Sequence, residues 1–188
     1  MTLSTYYIGL YNKPYIISTK HLWTIKFMDM KKTVLVTGAS AGIGKATAIF
    51  MAQNGYNVYG AARRKDKMDD LKTHGIKPIV LDVTKDESIM ACIEQVYNDA
   101  VSIDILVNNA GFGLEGAIED ITMEDARYQF EVNVFGAMRL AQLVLPKMRE
   151  NKYGKIVNIS SVGGKIAFPL GGWYHASNTT YLTVYPRM

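Results

Sequence analysis

Apolar and polar positions along this chain switch repeatedly between two periods. Thr33-Val34-Leu35-Val36 is a short β-branched run, the pattern of a strand buried on both faces of a parallel sheet. Behind it Ile43, Ala46, Thr47, Phe50 and Met51 recur at helical spacing, and Asn54-Gly55 supplies a helix stop. The alternation repeats. Residues 57–61, 78–81, 103–107 and 155–159 read as strands two to five. Between strands three and four, Ile89, Ile93 and Val96 mark a helix behind a capping-box spacing, Thr84-Lys85-Asp86-Glu87. A long helical stretch covers roughly residues 124–148, after a second capping candidate at Thr122. Strand and helix in alternation predict an α/β fold, a doubly wound parallel sheet with right-handed crossovers and helices on both faces.

Residues 1–30 break this pattern. They are rich in Tyr, carry interspersed Lys, Asn and Ser, and hold no steady period. The expectation is a disordered N-terminal extension, followed by one domain over residues 31–188. The extension lacks the continuous apolar stretch of a signal peptide and the length of a membrane span. Composition adds little: 48% apolar and 20% charged residues in a chain of 188 are ordinary for a single globular domain. The net charge of +4 is spread among acids rather than clustered, so no nucleic-acid surface is expected. The single Cys92 excludes an internal disulfide and fits a reducing, cytoplasmic compartment. It lies in line with Ile89, Ile93 and Val96, as a buried helix-face thiol does.

The chemistry gathers where the strands end. Thr37-Gly38-Ala39-Ser40-Ala41-Gly42-Ile43-Gly44 joins the first strand to the first helix. Glycines let the backbone approach a pyrophosphate, and the helix N-terminus offers free N–H groups and a positive dipole end. The spacing is G-x-x-x-G-x-G. An ATP-type loop, G-x-x-x-x-G-K-[ST], fails at Ala39 and again at Ala46. Polar groups follow the other strands in turn: Arg63-Arg64, Asp82, Asn108-Asn109-Ala110-Gly111 and Ser160-Ser161. In open α/β sheets ligands bind outside the carboxyl ends of the strands, which is where these groups fall. No metal site is predicted.

In this order, Thr37-Gly38-x-x-x-Gly42-Ile43-Gly44, Asp82, Asn108-Asn109-Ala110-Gly111, Asn133, Ser161 and Tyr174 resemble the short-chain dehydrogenases/reductases, over residues 31–177. The resemblance implies a Rossmann-like fold, an NAD(P) cofactor and interconversion of an alcohol and a carbonyl, with a small-molecule alcohol or ketone as substrate. It implies that Gly38, Ser40, Ile43 and Gly44 line the pyrophosphate and ribose. Asp82 and Val83 meet the adenine, Asn109, Ala110 and Gly111 run along the middle of the cofactor, and Tyr174 stands at its reactive end. Ser161 holds the substrate oxygen, Tyr174 gives or takes the proton, and Asn133 supports a proton-relay water. An NAD-preferring site places an acid after strand two. Here Arg63 and Arg64 stand there, and a guanidinium clamps a 2′-phosphate, so NADP is expected over NAD.

The chain departs from the family pattern at one end. The motif Tyr-x-x-x-Lys reads Tyr174-His175-Ala176-Ser177-Asn178, so a neutral amide replaces the lysine. Lowering a tyrosine pKa from about 10 to neutrality takes about 4 kcal/mol, part of which a neighbouring ammonium supplies and an amide does not. His175 points to another helix face and reads as a surface residue. The residues after Ser177 are rich in β-branched Thr, poor material for a helix. The expectation is a C-terminally truncated domain without the family's last strands and substrate loop, an exposed edge at strand five and compromised homo-oligomer contacts. Function is then expected to be an impaired NADP-dependent oxidoreductase. The alternatives are a dinucleotide-binding module without catalysis and a non-functional truncated or frameshifted product.

Overall fold

The structure is a computed structural model that describes residues 6–10, 13–17 and 31–184. It divides into two units, residues 1–31 and 32–188. In the first, β1 (Tyr6–Leu10) and β2 (Lys13–Ile17) form an antiparallel ribbon with Tyr6 opposite Ile17 and Leu10 opposite Lys13. Nothing in the aperiodic sequence signals this pairing; the rest of the expected extension lies outside the described residues.

The second unit is built on a five-stranded parallel sheet of order β5-β4-β3-β6-β7. The strands are β3 (Thr33–Thr37), β4 (Asn57–Ala62), β5 (Lys77–Val80), β6 (Ile105–Asn108) and β7 (Lys155–Asn158). This is the Rossmann-like doubly wound sheet that the alternation predicts. The chain first winds outward through β4 and β5, then returns past β3 to lay down β6 and β7. The crevice between β3 and β6 is therefore the topological switch point.

All five residues of β3 are buried, and their period of two divides the core. Leu35 faces a cluster with Leu106 and the helices α2 (Asp86–Asp99) and α4 (Gly136–Glu150), through Ile89, Cys92, Val96, Leu140 and Val144. Val34 and Val36 face the opposite cluster, with Ala48 of α1 (Gly42–Gln53) and with Met68 and Leu71 of the 3-10 segment Asp66–His74. Helices thus cover both faces. Cys92 is only 1% exposed, and burial pushes its thiol up to about 12. Between α3 (Met123–Phe130) and α4 the helix widens into a single π turn, Glu131–Phe135.

Local signals hold in part. Asn54 closes α1, with Gly55 in the left-handed region at φ 86°. Thr122 caps α3, its hydroxyl accepting from the Asp125 N–H at 3.1 Å. The box at Thr84 does not form: α2 starts behind Lys85 without a side-chain cap. The Asp82 carboxylate takes both the Thr84 N–H (3.0 Å) and the Thr84 hydroxyl (2.8 Å), and Ser88 Oγ accepts from the Asp82 N–H. An ionised oxygen is the stronger acceptor. The end of the chain also differs from expectation: α5 (Gly172–Val184) continues well past Ser177. Its short polar side chains bond back to the helix, Ser177 and Asn178 to the Tyr174 carbonyl and Thr180 to the Ala176 carbonyl. Tyr181 is buried and donates its hydroxyl to Asn158 Oδ1 at 3.0 Å. Tertiary packing overrides weak propensity here. Among the described residues β7 is the outer strand, with Lys155 and Val157 exposed.

Two contacts set the spacing around the crevice. Thr37 Oγ1 is buried and accepts from the N–H groups of Asn109 (2.9 Å) and Ala110 (3.0 Å). Thr37→Val strands those donors and is expected to lower the unfolding free energy by about 1–3 kcal/mol. Gly136 opens α4 where a Cβ would collide with the Val83 carbonyl, so Gly136→Ala is expected to cost about 1–3 kcal/mol by overpacking. Urea titration of each variant against the parent checks both, and unchanged midpoints would contradict these contacts.

Candidate functional site

Beyond the carboxyl ends of β3, β4, β5 and β6 lies a cleft of about 520 Å³. Its walls include Gly38, Ser40, Ile43, Arg63, Asp82, Val83, Asn109, Ala110 and Gly111. Of the residues expected to hold a dinucleotide, only Gly44 and Tyr174 are missing from that wall. Gly44 lies behind it, where a Cβ would strike the Asn109 side chain and the Gly38 carbonyl. Its role is to let α1 lie against the two turns.

The turn geometry follows from the residues present. Gly38 takes φ +68°, and a Cβ there would press on Asn109 Nδ2 and the Ala110 backbone. Asn109 spends its side-chain amide on the Thr37 carbonyl at 3.0 Å, which fastens the end of β6 to the glycine turn. Ala41 precedes helix α1 and provides no side-chain cap, leaving the first N–H groups of the helix for a ligand. Lys45, which gives the turn its ATP-loop appearance, is paired with Asp70 instead.

Charge in the cleft is organised at the β4 and β5 ends. Partial burial pushes the Asp82 carboxyl up, but the two hydrogen bonds from Thr84 and the positive fields of Arg63 and Lys85 outweigh it and hold it below the usual carboxylate range. Arg63 donates to the Tyr128 hydroxyl at 2.7 Å, and Arg64 to Ser40 Oγ at 3.5 Å. No acid follows β4 before Asp66.

A second, smaller cavity of about 190 Å³ shares Ile43, Asn109, Ala110, Gly111 and Phe112 with the first and adds Asn133, Ser160, Tyr174, Asn178 and Tyr181. Asn133 sits in the π turn, a local widening frequent at functional sites. It clamps Phe112 from both sides, accepting its N–H (3.0 Å) and donating to its carbonyl (2.9 Å), and also donates to Ser177 Oγ. The structure thus brings Asn133 and Tyr174 together in the smaller cavity that adjoins the cleft. Ser161 does not line that cavity. It precedes the 3-10 turn Val162–Gly164, where its hydroxyl accepts from the Gly163 N–H at 3.1 Å. Ser160 stands in the wall instead and donates to Asn178 Oδ1 at 3.1 Å. Asn178 is 7% exposed, and its amide also reaches the Tyr174 carbonyl at 3.0 Å.

The sequence named Thr37 only within the glycine-turn motif, gave no role to Phe112 or Tyr128, and did not pair Ser160 with Asn178. Thr37 is the first residue of the glycine turn, so a buried hydroxyl beside a crevice was its available signal. Phe112 and Tyr128 carry none, since their pairing with Asn133 and Arg63 spans distant segments. His175, expected at the surface, is half-buried and hydrogen-bonded at both ring nitrogens. The correction has a simple cause: the loop over residues 163–168 folds back onto its helix face.

Residues 32–181 match the family model described as short chain dehydrogenase. Among curated relatives, a 3-ketodihydrosphingosine reductase of Bacteroides thetaiotaomicron is 40% identical over 144 residues, covering 77% of this chain and 52% of the relative. An uncharacterized oxidoreductase of Bacillus subtilis, YusZ, is 39% identical over 74% of this chain and 52% of its own length. The chain spans about half the length of these relatives. Among solved structures, a short-chain dehydrogenase from Streptomyces avermitilis superposes with a TM-score of 0.80 at 40% identity, over 83% of this chain and 58% of that one. An actinorhodin polyketide ketoreductase with NADPH does so at 0.78 and 31%, over 82% and 62%. With the glycine turn, the Asn109 clamp and Tyr174 all in the matched span, the chain belongs to the short-chain dehydrogenase/reductase family.

Proposed function

We propose that this chain carries the dinucleotide-binding part of an NADP-dependent oxidoreductase that interconverts an alcohol and a carbonyl. The observation that carries the reading is the cleft at the switch point, with Arg63 and Arg64 on its wall at the β4 end and no acid between them and the strand. The residues fit the cofactor. Gly38, at positive φ, lets the glycine turn lie against Asn109 and Ala110 where a Cβ would clash, and the first turn of α1 has no side-chain cap on its N–H groups, which suits a phosphate. Arg63 and Arg64 supply the cations for a 2′-phosphate, and Asp82 and Val83 wall the adenine end. Two family members of known structure are described with NADPH and with 5-hydroxy-NADP. The cofactor, once bound, supplies or accepts the hydride.

The chain's own residues do the rest. Tyr174 gives or takes the proton at the substrate oxygen. Ser161, or Ser160 in the cavity wall, orients that oxygen. Asn133 holds the Phe112 peptide, so that the 109–112 segment keeps its path between the two cavities. Asn178 contributes hydrogen bonds but no charge, and turnover by this chain is therefore low. The Bacteroides relative is named for 3-ketodihydrosphingosine, which makes a ketone the first substrate to assay. A cytoplasmic setting is part of the same proposal and rests on the single thiol. A second reading, dinucleotide binding without catalysis, is favoured by the Asn178 amide, which is committed on one side to Ser160 and on the other to Tyr174.

Fluorescence titration of the full chain with NADPH and NADH tests the cofactor. NADPH is expected to bind more tightly, and Arg63→Ala to weaken NADPH by about tenfold while leaving NADH unchanged. Equal affinities that ignore the substitution would overturn the assignment. Asn178→Lys is expected to raise ketone reduction by about 10²-fold, and only in a chain extended by the C-terminal half of a family relative. Steady-state rates of the chain as it stands, the substitution, the extension and both together decide it. Robust reduction by the unaltered chain would show that neither change matters.

A further inference from the structure

His175 follows Tyr174 on α5 and reaches back to the loop behind the Val162–Gly164 turn. Its Nδ1 lies 2.8 Å from the Gly163 carbonyl oxygen. A carbonyl only accepts, so Nδ1 carries the proton. Nε2 is then a bare acceptor, and the Phe168 N–H points to it at 3.0 Å. The Phe168 carbonyl is 3.1 Å from the same nitrogen, but only an imidazolium could donate to it while keeping the Gly163 bond, and that would leave the Phe168 N–H without its acceptor. One neutral tautomer satisfies both arms.

The imidazole is fitted as well as bonded. Its ring meets the Phe168 ring edge-on, with centroids 4.1 Å apart. A Cβ on Gly171 would collide with Nε2, and one on Gly163 would sit 3.1 Å from Nδ1 and 3.0 Å from the Tyr174 ring. The Gly163 N–H meanwhile donates to Ser161 Oγ at 3.1 Å. A continuous path therefore runs from the helix bearing Tyr174, through the imidazole and the Gly163 peptide, to the Ser161 hydroxyl.

We propose that His175 is a positioning residue: as its Nδ1–H tautomer it pins the 161–168 loop to the Tyr174 helix and so fixes where the Ser161 hydroxyl stands relative to the Tyr174 ring. The proposal rests on the functional reading of those two residues and adds the group that sets their spacing.

Long-range ¹⁵N–¹H spectra of the full chain, labelled at its three histidines, read the tautomer directly. The His175 signal is identified by its loss in His175→Gln. A protonated Nδ1 and bare Nε2 are expected, and an Nε2–H tautomer overturns the proposal. Hydrogen exchange then reads what each arm holds: the Phe168 N–H donates to the imidazole itself, and the Gly163 N–H donates to the Ser161 hydroxyl that the Nδ1 arm is proposed to place. In His175→Ala the Phe168 amide is expected to exchange about five- to tenfold faster, the worth of one hydrogen bond, and the Gly163 amide to speed up as well, because its bond to Ser161 Oγ loosens once the Gly163 carbonyl is released. His175→Asn, whose amide reaches the Nδ1 position, should restore Gly163 alone. His175→Gln, reaching the Nε2 position, should restore Phe168 alone. Exchange that is the same in all four chains overturns the proposal. NADPH affinity is measured in parallel. Absence of binding in every chain, the parent included, refutes the functional reading, while the tautomer and the two amides still decide the role of His175.

Discussion

A single buried hydroxyl keeps the cleft open at the right width. Where β3 and β6 part company their backbones lose the sheet partners that each strand gave the other, and the freed N–H groups of Asn109 and Ala110 have to find an acceptor. Thr37 Oγ1 takes both. The Asn109 amide returns the favour to the Thr37 carbonyl. Two turns that could splay are thereby held at one separation, and every other feature of the site is measured from it. Gly38 adopts its left-handed conformation against Asn109, Gly44 brings α1 onto the same side chain, and the 109–112 segment forms a wall common to both cavities.

The electrostatics of the cleft follow the same economy of short links. Asp82 is partly buried, which favours its neutral form, yet it receives two hydrogen bonds from the residue two places on and lies in the fields of Arg63 and Lys85. It stays ionised at neutral pH. The negative charge is thus fixed at the β5 end, and the positive charges of Arg63 and Arg64 stand at the β4 end. The bond from Arg63 to Tyr128 holds one guanidinium toward α3, while its field also reaches Asp82.

The features legible in the sequence are those whose cause is local. Apolar runs specified β3, β4 and β6, since a parallel strand buried on both faces leaves no room for polar alternation. Asn54-Gly55 and Thr122 announced helix ends because the capping groups are adjacent to what they cap. The same logic misplaced Thr84, whose hydroxyl had a nearer carboxylate at Asp82. It also undervalued the helix beyond Ser177, whose Thr and Asn side chains bond to its own carbonyls and whose Tyr181 is buried against Asn158. The π turn at Glu131–Phe135 has no sequence pattern of its own; Asn133 sits there because its amide completes the Phe112 peptide from another segment. In the site, the glycine turn and the arginines could be read as short motifs. The Ser160–Asn178 and His175–Gly163 pairs could not, because each joins segments that approach only after folding.

Asn178 shows how the helix that carries Tyr174 keeps its shape with a neutral amide at a nearly buried position. A lysine in a nearly buried position needs a counter-charge or a dense set of acceptors, and desolvation opposes it otherwise. An asparagine asks for less: it accepts once from Ser160 and donates once to the Tyr174 carbonyl, both within reach of the helix on which it stands. The local structure is therefore self-sufficient without the charge. Ser160 is drawn to face Asn178, Ser161 is left to cap the next turn, and the Tyr174 ring remains held between Gly113 and Gly163. None of these contacts requires a positive charge at position 178. The fold at this position is therefore held by neutral hydrogen bonds alone, and the Tyr174 helix keeps its place beside the cleft with an amide at position 178.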